Sequence, residues 1–326
     1  MFRPVAYDSN LQWETTETYN AGIDYGFANN RINGSVDIYR KKTKDLLATV
    51  NIPAGSNFSN QLLTNVGNMT NEGVEFNINL IPVATTNTNW TLGFNATYND
   101  NEVTNLTLVP DPNYQGLTVG GIAGGTGQTI QVHSVGYTPF SYLVQKQVYD
   151  QNGRPLEGVY VDLNGDGIVT PADVYRYKSP TPKMILGFST QFSYKQWSMS
   201  TVLRSNLGNY VYNNIASNYG VERNILNPSG YIANSTTDIY NTNFSNNQFL
   251  SDYYVQNGSF LRMENLTLGY NAGRVLGISN LRLNATCQNV FVVTKYKGLD
   301  PELRDGIDNS FYPRPRTFVL GLNLDF

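Results

Sequence analysis

The sequence predicts an all-β fold: an antiparallel transmembrane β-barrel wall of about ten strands, with long extracellular loops. Three observations carry that expectation. Apolar residues alternate with period two in run after run. The polar side of the alternation is Asn, Thr, Ser, Gln and Gly instead of the Lys/Glu of a solvated sheet, which suits a water-filled or plugged lumen with the apolar face turned to lipid. The connections alternate short and long, the asymmetry of outer-membrane barrels with tight periplasmic turns and long outer loops.

The first run, "ETYNAGIDYGF", places Tyr19, Ala21, Ile23, Tyr25 and Phe27 on one face. After Asn29-Asn30, "RINGSVDIYRK" places Ile32, Val36 and Ile38 together, so the pair reads as a hairpin with a tight turn. "EGVEFNINLIP" lines up Val74, Phe76, Ile78 and Leu80, and "NWTLGFNATYND" lines up Trp90, Leu92, Phe94, Ala96 and Tyr98. A further strand is expected near 139–149. Met184, Leu186, Phe188, Phe192 and Tyr194 follow, then a turn at Lys195-Gln196 and Trp197, Met199 and Leu203. Leu266, Leu268 and Tyr270 mark the next strand, Leu281, Leu283, Ala285 and Cys287 another, and Phe318 to Phe326 the last. Short turns are expected near 29–30, 82–89, 195–196 and 272–279. Long loops are expected at 43–70, 104–138, 150–180, 206–257 and 292–312. Aromatics gather at the short-turn or C-terminal end (Tyr25, Phe27, Trp90, Tyr194, Trp197, Tyr270, Phe326), where an interfacial girdle belongs.

Composition narrows the function classes. The 326 residues carry a net charge of −3 and only 14% charged residues, with 23 Tyr and 15 Phe. No Lys/Arg block gives nucleic acid an electrostatic footprint. One cysteine, Cys287, excludes an internal disulfide framework, and with one histidine, His133, a zinc site has no ligand set. No run reaches the roughly 18 apolar residues of a membrane helix. The first residues lack the pattern of a signal peptide, so the chain reads as cytosolic or as a piece whose N-terminal part is missing.

The sharpest short motif is "VDLNGDGIVTPADVY", which contains a calcium-type loop at 162–173. Calcium takes six to eight oxygens, and a twelve-residue loop supplies them from fixed positions. Those positions hold Asp162, Asn164, Asp166, the Ile168 carbonyl, Thr170 and Asp173, with Gly167 at the sharp turn. The upstream flank is strand-like, so no helix pair opens. Asp173 also sits three residues after Thr170-Pro171, where it reads equally as a helix cap. A metal-free Asn/Asp/Gly turn is the competing reading.

Other motifs carry less. "GGIAGGTGQT" lacks the Lys-Ser/Thr of a phosphate loop and reads as a loop tip or a close backbone contact. Tyr210, Tyr212, Tyr219, Tyr231, Tyr253 and Tyr254 stack on sugar rings, pack the loops together or meet a partner, with loop packing the plainer choice. Arg314 and Arg316 read as a loop-to-strand anchor, His133 as structural and Cys287 as a small hydrophobe. No catalytic triad or paired-carboxylate frame is present, so an enzyme is not expected.

"LQWETTETYNAGIDYGFANNRINGSVDIYRKKTKDLL", "NVGNMTNEGVEFNI", "VYVDLNGDGIVTPAD", "ENLTLGYN", "NVFVVTKYKGLDPE" and "YPRPRTFVLGLNLDF" occur in an order that resembles the SusC/RagA-type TonB-dependent outer-membrane transporters. The resemblance spans essentially the whole chain. It implies a 22-stranded barrel around an N-terminal plug, a TonB complex engaged from the periplasm, and a SusD-type lipoprotein over the mouth. It implies import of oligosaccharides or, second, peptides, with membrane lipid and lipopolysaccharide around the barrel in the outer membrane. The departure is by omission: signal peptide, plug and TonB-contacting segment are absent, so residues 1–326 read as the C-terminal portion of the barrel. In this reading calcium braces an outer loop. The alternative is an extracellular calcium-dependent β-sheet binding or adhesion protein.

Overall fold

Among the described residues, nine long strands form one antiparallel sheet in which chain neighbours are sheet neighbours. They are β1 (Thr15–Phe27), β2 (Ile32–Asn51), β3 (Gln61–Ala84), β4 (Thr88–Asn105), β5 (Met184–Tyr194), β6 (Trp197–Leu207), β7 (Phe260–Val275), β8 (Ile278–Thr294) and β9 (Thr317–Asp325). The computed structural model describes residues 5–109, 111, 114–225, 230, 234–275, 278–309 and 312–325. Phe326 and Tyr231 lie outside the described residues.

Register turns the period-two sequence into two faces. Pairing aligns Trp90, Phe192, Met199, Leu268, Ala285 and Leu320 in one row across β4 to β9. The adjacent row is Thr91, Gln191, Ser200, Thr267, Thr286 and Val319. Near the other edge, Ile23, Val36, Phe76, Ala96 and Leu186 align beside Asp24, Ser35, Asn77, Asn95 and Gly187. Because side chains alternate strictly, each apolar row lies on one side of the sheet and each polar row on the other. The apolar side stays uncovered: Leu320 is 85% exposed and Phe318 75%. Across the polar side, the Thr267 and Thr286 hydroxyls share a 3.0 Å hydrogen bond.

The tight ends of the strands carry the aromatics. Tyr25 and Phe27 stack at 5.9 Å, Trp90 meets Phe192 edge-on at 6.4 Å, and Trp197 meets Tyr270 at 4.7 Å. Tyr25 also covers Gly34 and donates from its hydroxyl to the Asn77 carbonyl at 3.0 Å. These are girdle positions, where an amphipathic ring has an apolar body and a wet tip.

Two expectations need correction. The segment 43–70 is mostly strand, since β2 runs to Asn51 and β3 begins at Gln61. A strand needs only about 9–11 residues to cross a bilayer, and β3 has 24, so the sheet continues past the membrane thickness. The strand near 139–149 is not part of the wall. Ser141–Gln145 and Gln147–Tyr149 belong to separate small sheets inside one long excursion from β4 to β5, which reduces about ten wall strands to nine. Its burial explains the difference: Tyr142 and Val144 are enclosed along with Ser141, so this strand has no exposed apolar face.

Those excursions build a second layer. Leu117–Gly121, Thr129–His133, Ser141–Gln145 and Val174–Arg176 form a four-stranded sheet, and Tyr210–Tyr212 pairs with Val255–Asn257. Ile130, Tyr142, Val144, Tyr212, Ala216, Val221, Phe244, Tyr254 and Val255 pack there as one core. The Tyr142 hydroxyl lies 2.7 Å from the Gly306 carbonyl and 2.9 Å from the Tyr210 carbonyl, which joins three excursions, and Tyr212 donates to the Phe249 carbonyl at 2.7 Å within one of them.

Candidate functional site

The loop layer is fastened to the wall by charge. Arg204 on β6 pairs across the sheet with Arg262 on β7, two like charges side by side. Carboxylates surround them. Arg262, 1% exposed, donates to Asp300 at 2.6 Å and to the Asn289 side chain at 3.0 Å. Arg204 binds Glu264 and donates to Glu302 at 2.6 Å. Arg314 reaches Glu302 at 3.0 Å. Burial alone would raise the Glu302 carboxyl, but the hydrogen bond and charge of Arg204, with Arg314 and Arg262 nearby, hold it below the usual range. Asn289, with a left-handed φ of 51°, donates to the Arg314 carbonyl at 2.9 Å. Arg314 is thus the anchor that the sequence suggested, and Arg316 donates to the Asn289 carbonyl at 3.4 Å.

The 162–173 loop is wrapped around its own side chains. Asp162 accepts from the Gly165 and Gly167 amides, each at 2.7 Å. Asn164 accepts from the Asp166 amide and Asp166 from the Ile168 amide, both at 2.9 Å. Gly165 and Gly167 sit at φ of 74° and 85°, a region glycine enters without a Cβ penalty. Asp173 is 0% exposed and occupied by the backbone. It accepts from Thr170 at 2.7 Å and Leu163 at 2.9 Å, and these amides with Asn164 hold its carboxyl below the usual range against the effect of desolvation. The Thr170 hydroxyl accepts from the Ala172 amide, completing a capping box over Pro171–Asp173. Asn164 and Asp166 are exposed and Asp162 is half-buried, while Asp173 is enclosed. Among the described residues no three His, Cys, Asp or Glu side chains converge as a ready-made metal cluster.

The tyrosines divide by burial. Tyr212 and Tyr254 are fully enclosed, and Tyr253 donates to Asp238 at 2.8 Å, so these three pack loops. Tyr210 lies 6.3 Å from the Tyr177 ring, with the Lys178 ammonium 5.2 Å and 5.4 Å from the two centroids. With Tyr137 they line a cleft of about 540 Å³ where β4 outruns β5. Tyr219 remains 43% exposed. The glycine-rich stretch is a turn in the loop layer, where the Ala123 amide donates to the Asn214 side chain at 2.7 Å and Gly124 meets Asn218 and Phe249. His133 packs edge-on to Phe140 at 4.5 Å, and burial lowers its pKa. Cys287 lies on the apolar face between Leu266 and Phe318.

An antiparallel wall with one uncovered apolar face, tight turns at one end and a packed layer of loops at the other defines an outer-membrane-type β-barrel protein. Residues 2–290 match the family model described as "TonB dependent receptor-like, beta-barrel". The chain belongs to this family and to its SusC/RagA type, and it is an outer-membrane protein. It is 42% identical to TonB-dependent receptor SusC of Bacteroides thetaiotaomicron over 99% of this chain and 33% of that protein. It is 30% identical to TonB-dependent receptor P3 of Formosa agariphila over 98% of this chain and 35% of that one. Its fold matches the structure of the RagAB peptide transporter with a TM-score of 0.76 at 26% identity, covering 99% of this chain and 36% of that one. The chain therefore spans about a third of the length of these relatives. They are receptors and transporters, not enzymes.

Proposed function

We propose that this chain supplies nine wall strands and the overlying mouth loops of a TonB-dependent importer of oligosaccharides. The observation that carries the reading is the 42% identity to SusC over essentially the whole chain. The match to a peptide transporter has the same fold at 26% identity, so a peptide is the second substrate class. β1 and β9 are the sheet's two edges, and unpaired backbone is not tolerated in hydrocarbon. In the whole receptor they pair with the remaining wall. The TonB complex and a SusD-type lipoprotein act with that receptor, the lipoprotein above the loop layer.

The 162–173 loop binds Ca²⁺ in this reading. Each Asp162 oxygen accepts one amide and a carboxylate oxygen has two lone pairs, so acceptor capacity remains. Asp162, Asn164, Asp166 and the Ile168 carbonyl hold the ion, and Asp173 keeps the loop closed. The ion stiffens the loop.

Uptake by the whole receptor, energised through TonB and offered labelled oligosaccharides and peptides in parallel, tests the function. Oligosaccharide uptake is the expected result; uptake of peptides alone would replace the substrate class. Calorimetry on the same receptor tests the ion: wild type releases heat with calcium and Asp162→Ala does not. Silence from the wild type at millimolar calcium would remove the ion from the account.

A further inference from the structure

A second space, partly open to solvent, lies inside the loop layer, away from the calcium-type loop and bordering the ion network at Asp300. It is a cavity of about 330 Å³ where segments 213–216, 236–241 and 297–299 meet Gln256 and Asp308. Ligand pockets run from roughly 300 to 1,000 Å³, so this one suits a single small ring and not a chain.

Its walls hold polar groups with unfinished bonding. Asp308 is 2% exposed; one oxygen accepts the Tyr296 hydroxyl at 2.6 Å and the other, Oδ1, has no partner. Asp238 is 6% exposed; one oxygen accepts from Tyr253 at 2.8 Å and Asn241 at 3.0 Å, while Oδ2 has none. The Thr236 hydroxyl beside them is also unpartnered. Buried polar atoms left this way are rare in folded proteins, and each one costs free energy until a donor or acceptor reaches it. All three are closed to water in this conformation, so binding requires a side-chain rotation that turns them to the cavity. Burial pushes the Asp308 carboxyl upward, as expected for a charge short of partners.

The rest of the lining selects among ligands. Ile215, Ala216 and Leu299 give apolar walls, and Lys297 adds a cation. Two acceptors alone would suit an ammonium or guanidinium group. Lys297 opposes that choice, and the mixture of acceptors, a hydroxyl, an ammonium and apolar surface calls for a neutral ring whose groups donate and accept at once. Hydroxyls do both.

We propose that this cavity is a binding site for one sugar residue, held by the free oxygens of Asp238 and Asp308, the Thr236 hydroxyl and the Lys297 ammonium, with its carbon face against Ile215 and Leu299. The inference rests on the oligosaccharide reading above and adds a place where the loop layer holds a single ring.

Saturation-transfer NMR on the whole detergent-purified receptor, with methyl glucoside as the probe and methylguanidinium as the competitor, tests it. Two variants are compared with wild type: Asp308→Asn, which keeps shape but loses the charge, and Leu299→Trp, which fills the cavity from a residue 66% exposed and is used once its unfolding temperature matches wild type. The expected result is transfer to the glucoside in wild type, at least about tenfold weaker binding in Asp308→Asn, and loss in Leu299→Trp. Equal binding by wild type and Leu299→Trp, displacement of the glucoside by methylguanidinium, or no transfer in wild type overturns the site. Oligosaccharide uptake is measured on cells that carry the same wild-type receptor, energised through TonB. Uptake without cavity binding removes this inference alone, and cavity binding without uptake removes the import reading alone.

Discussion

The wall and the loop layer follow opposite burial rules within one chain. In the wall the apolar side chains face outward and the polar ones inward; Leu320 is 85% exposed. In the loop layer the ordinary arrangement returns, and Ile130, Val132 and Val144 are 0% exposed. The difference follows from solvent. Lipid makes an outward Leu favourable and makes unpaired backbone intolerable, so the wall spends its hydrogen bonds in a continuous ladder. Water makes the same Leu unfavourable outside, so the loops need a core of their own. The loop layer therefore resembles a small soluble domain tied to a membrane sheet, and the two should respond differently to the same kind of damage.

The largest effect is expected at the joint between them. Arg262 is buried with Asp300, and removing one partner of such a pair costs about 3–5 kcal/mol because the other charge is left uncompensated. Arg262→Ala should lower the unfolding temperature of the whole receptor in detergent and loosen 295–316 to protease. Adding Asp300→Asn should recover much of the loss. If Arg262→Ala unfolds like wild type, the joint is not held by charge.

A paired test separates the faces. Phe188→Arg puts a charge on the outward face and should cost about 2–4 kcal/mol near the membrane midplane. Gln191→Arg, three residues along on the polar face, should cost little. Refolding into lipid, followed by heat-modifiable gel mobility, reads both. Equal penalties would mean that the two faces have been assigned wrongly.

This contrast also explains what the sequence revealed. Alternation was legible wherever one face meets lipid and the other meets polar groups, as in Ile23–Phe27 and Phe318–Leu324. It misled at 139–149, because Ser141–Gln145 is enclosed within the loop layer and its strand character says nothing about membership of the wall. The calcium-type loop was visible since its groups lie within twelve residues, although the commitment of Asp173 to three amides needed coordinates. The ion network and the sugar-sized cavity were hidden. Arg262 meets Asp300 across 38 positions and Arg204 meets Glu302 across 98, and no short-range pattern marks such pairs. Arg314 alone was noticed, as an anchor without its partner.

Inside the loop layer, Tyr212→Phe keeps the ring and removes a hydroxyl that serves the Phe249 carbonyl and Ser217. The buried carbonyl loses its donor, so the cost should be about 1–2 kcal/mol. Hydrogen exchange should rise around 212–217 and 244–254 while wall amides stay protected. A rise that spreads through β5 to β8 would show that the two regions unfold together and that the soluble-domain comparison is wrong.

The smallest and most local effect concerns pH. The Asp173 carboxylate accepts from Thr170, Leu163 and Asn164, and its pKa is lowered from 3.8. A group with a depressed folded-state pKa stabilises fully above its unfolded value and loses that contribution as pH falls through the folded value. The cap should therefore be intact from neutrality down to about pH 4 and weaken below it. Amide exchange at Leu163, Asn164 and Thr170 should accelerate in that acid window beyond the intrinsic pH dependence. Asp173→Asn should remove the extra pH step and leave those amides less protected at pH 7. If wild type and Asp173→Asn exchange alike at every pH, the cap is not what holds the loop.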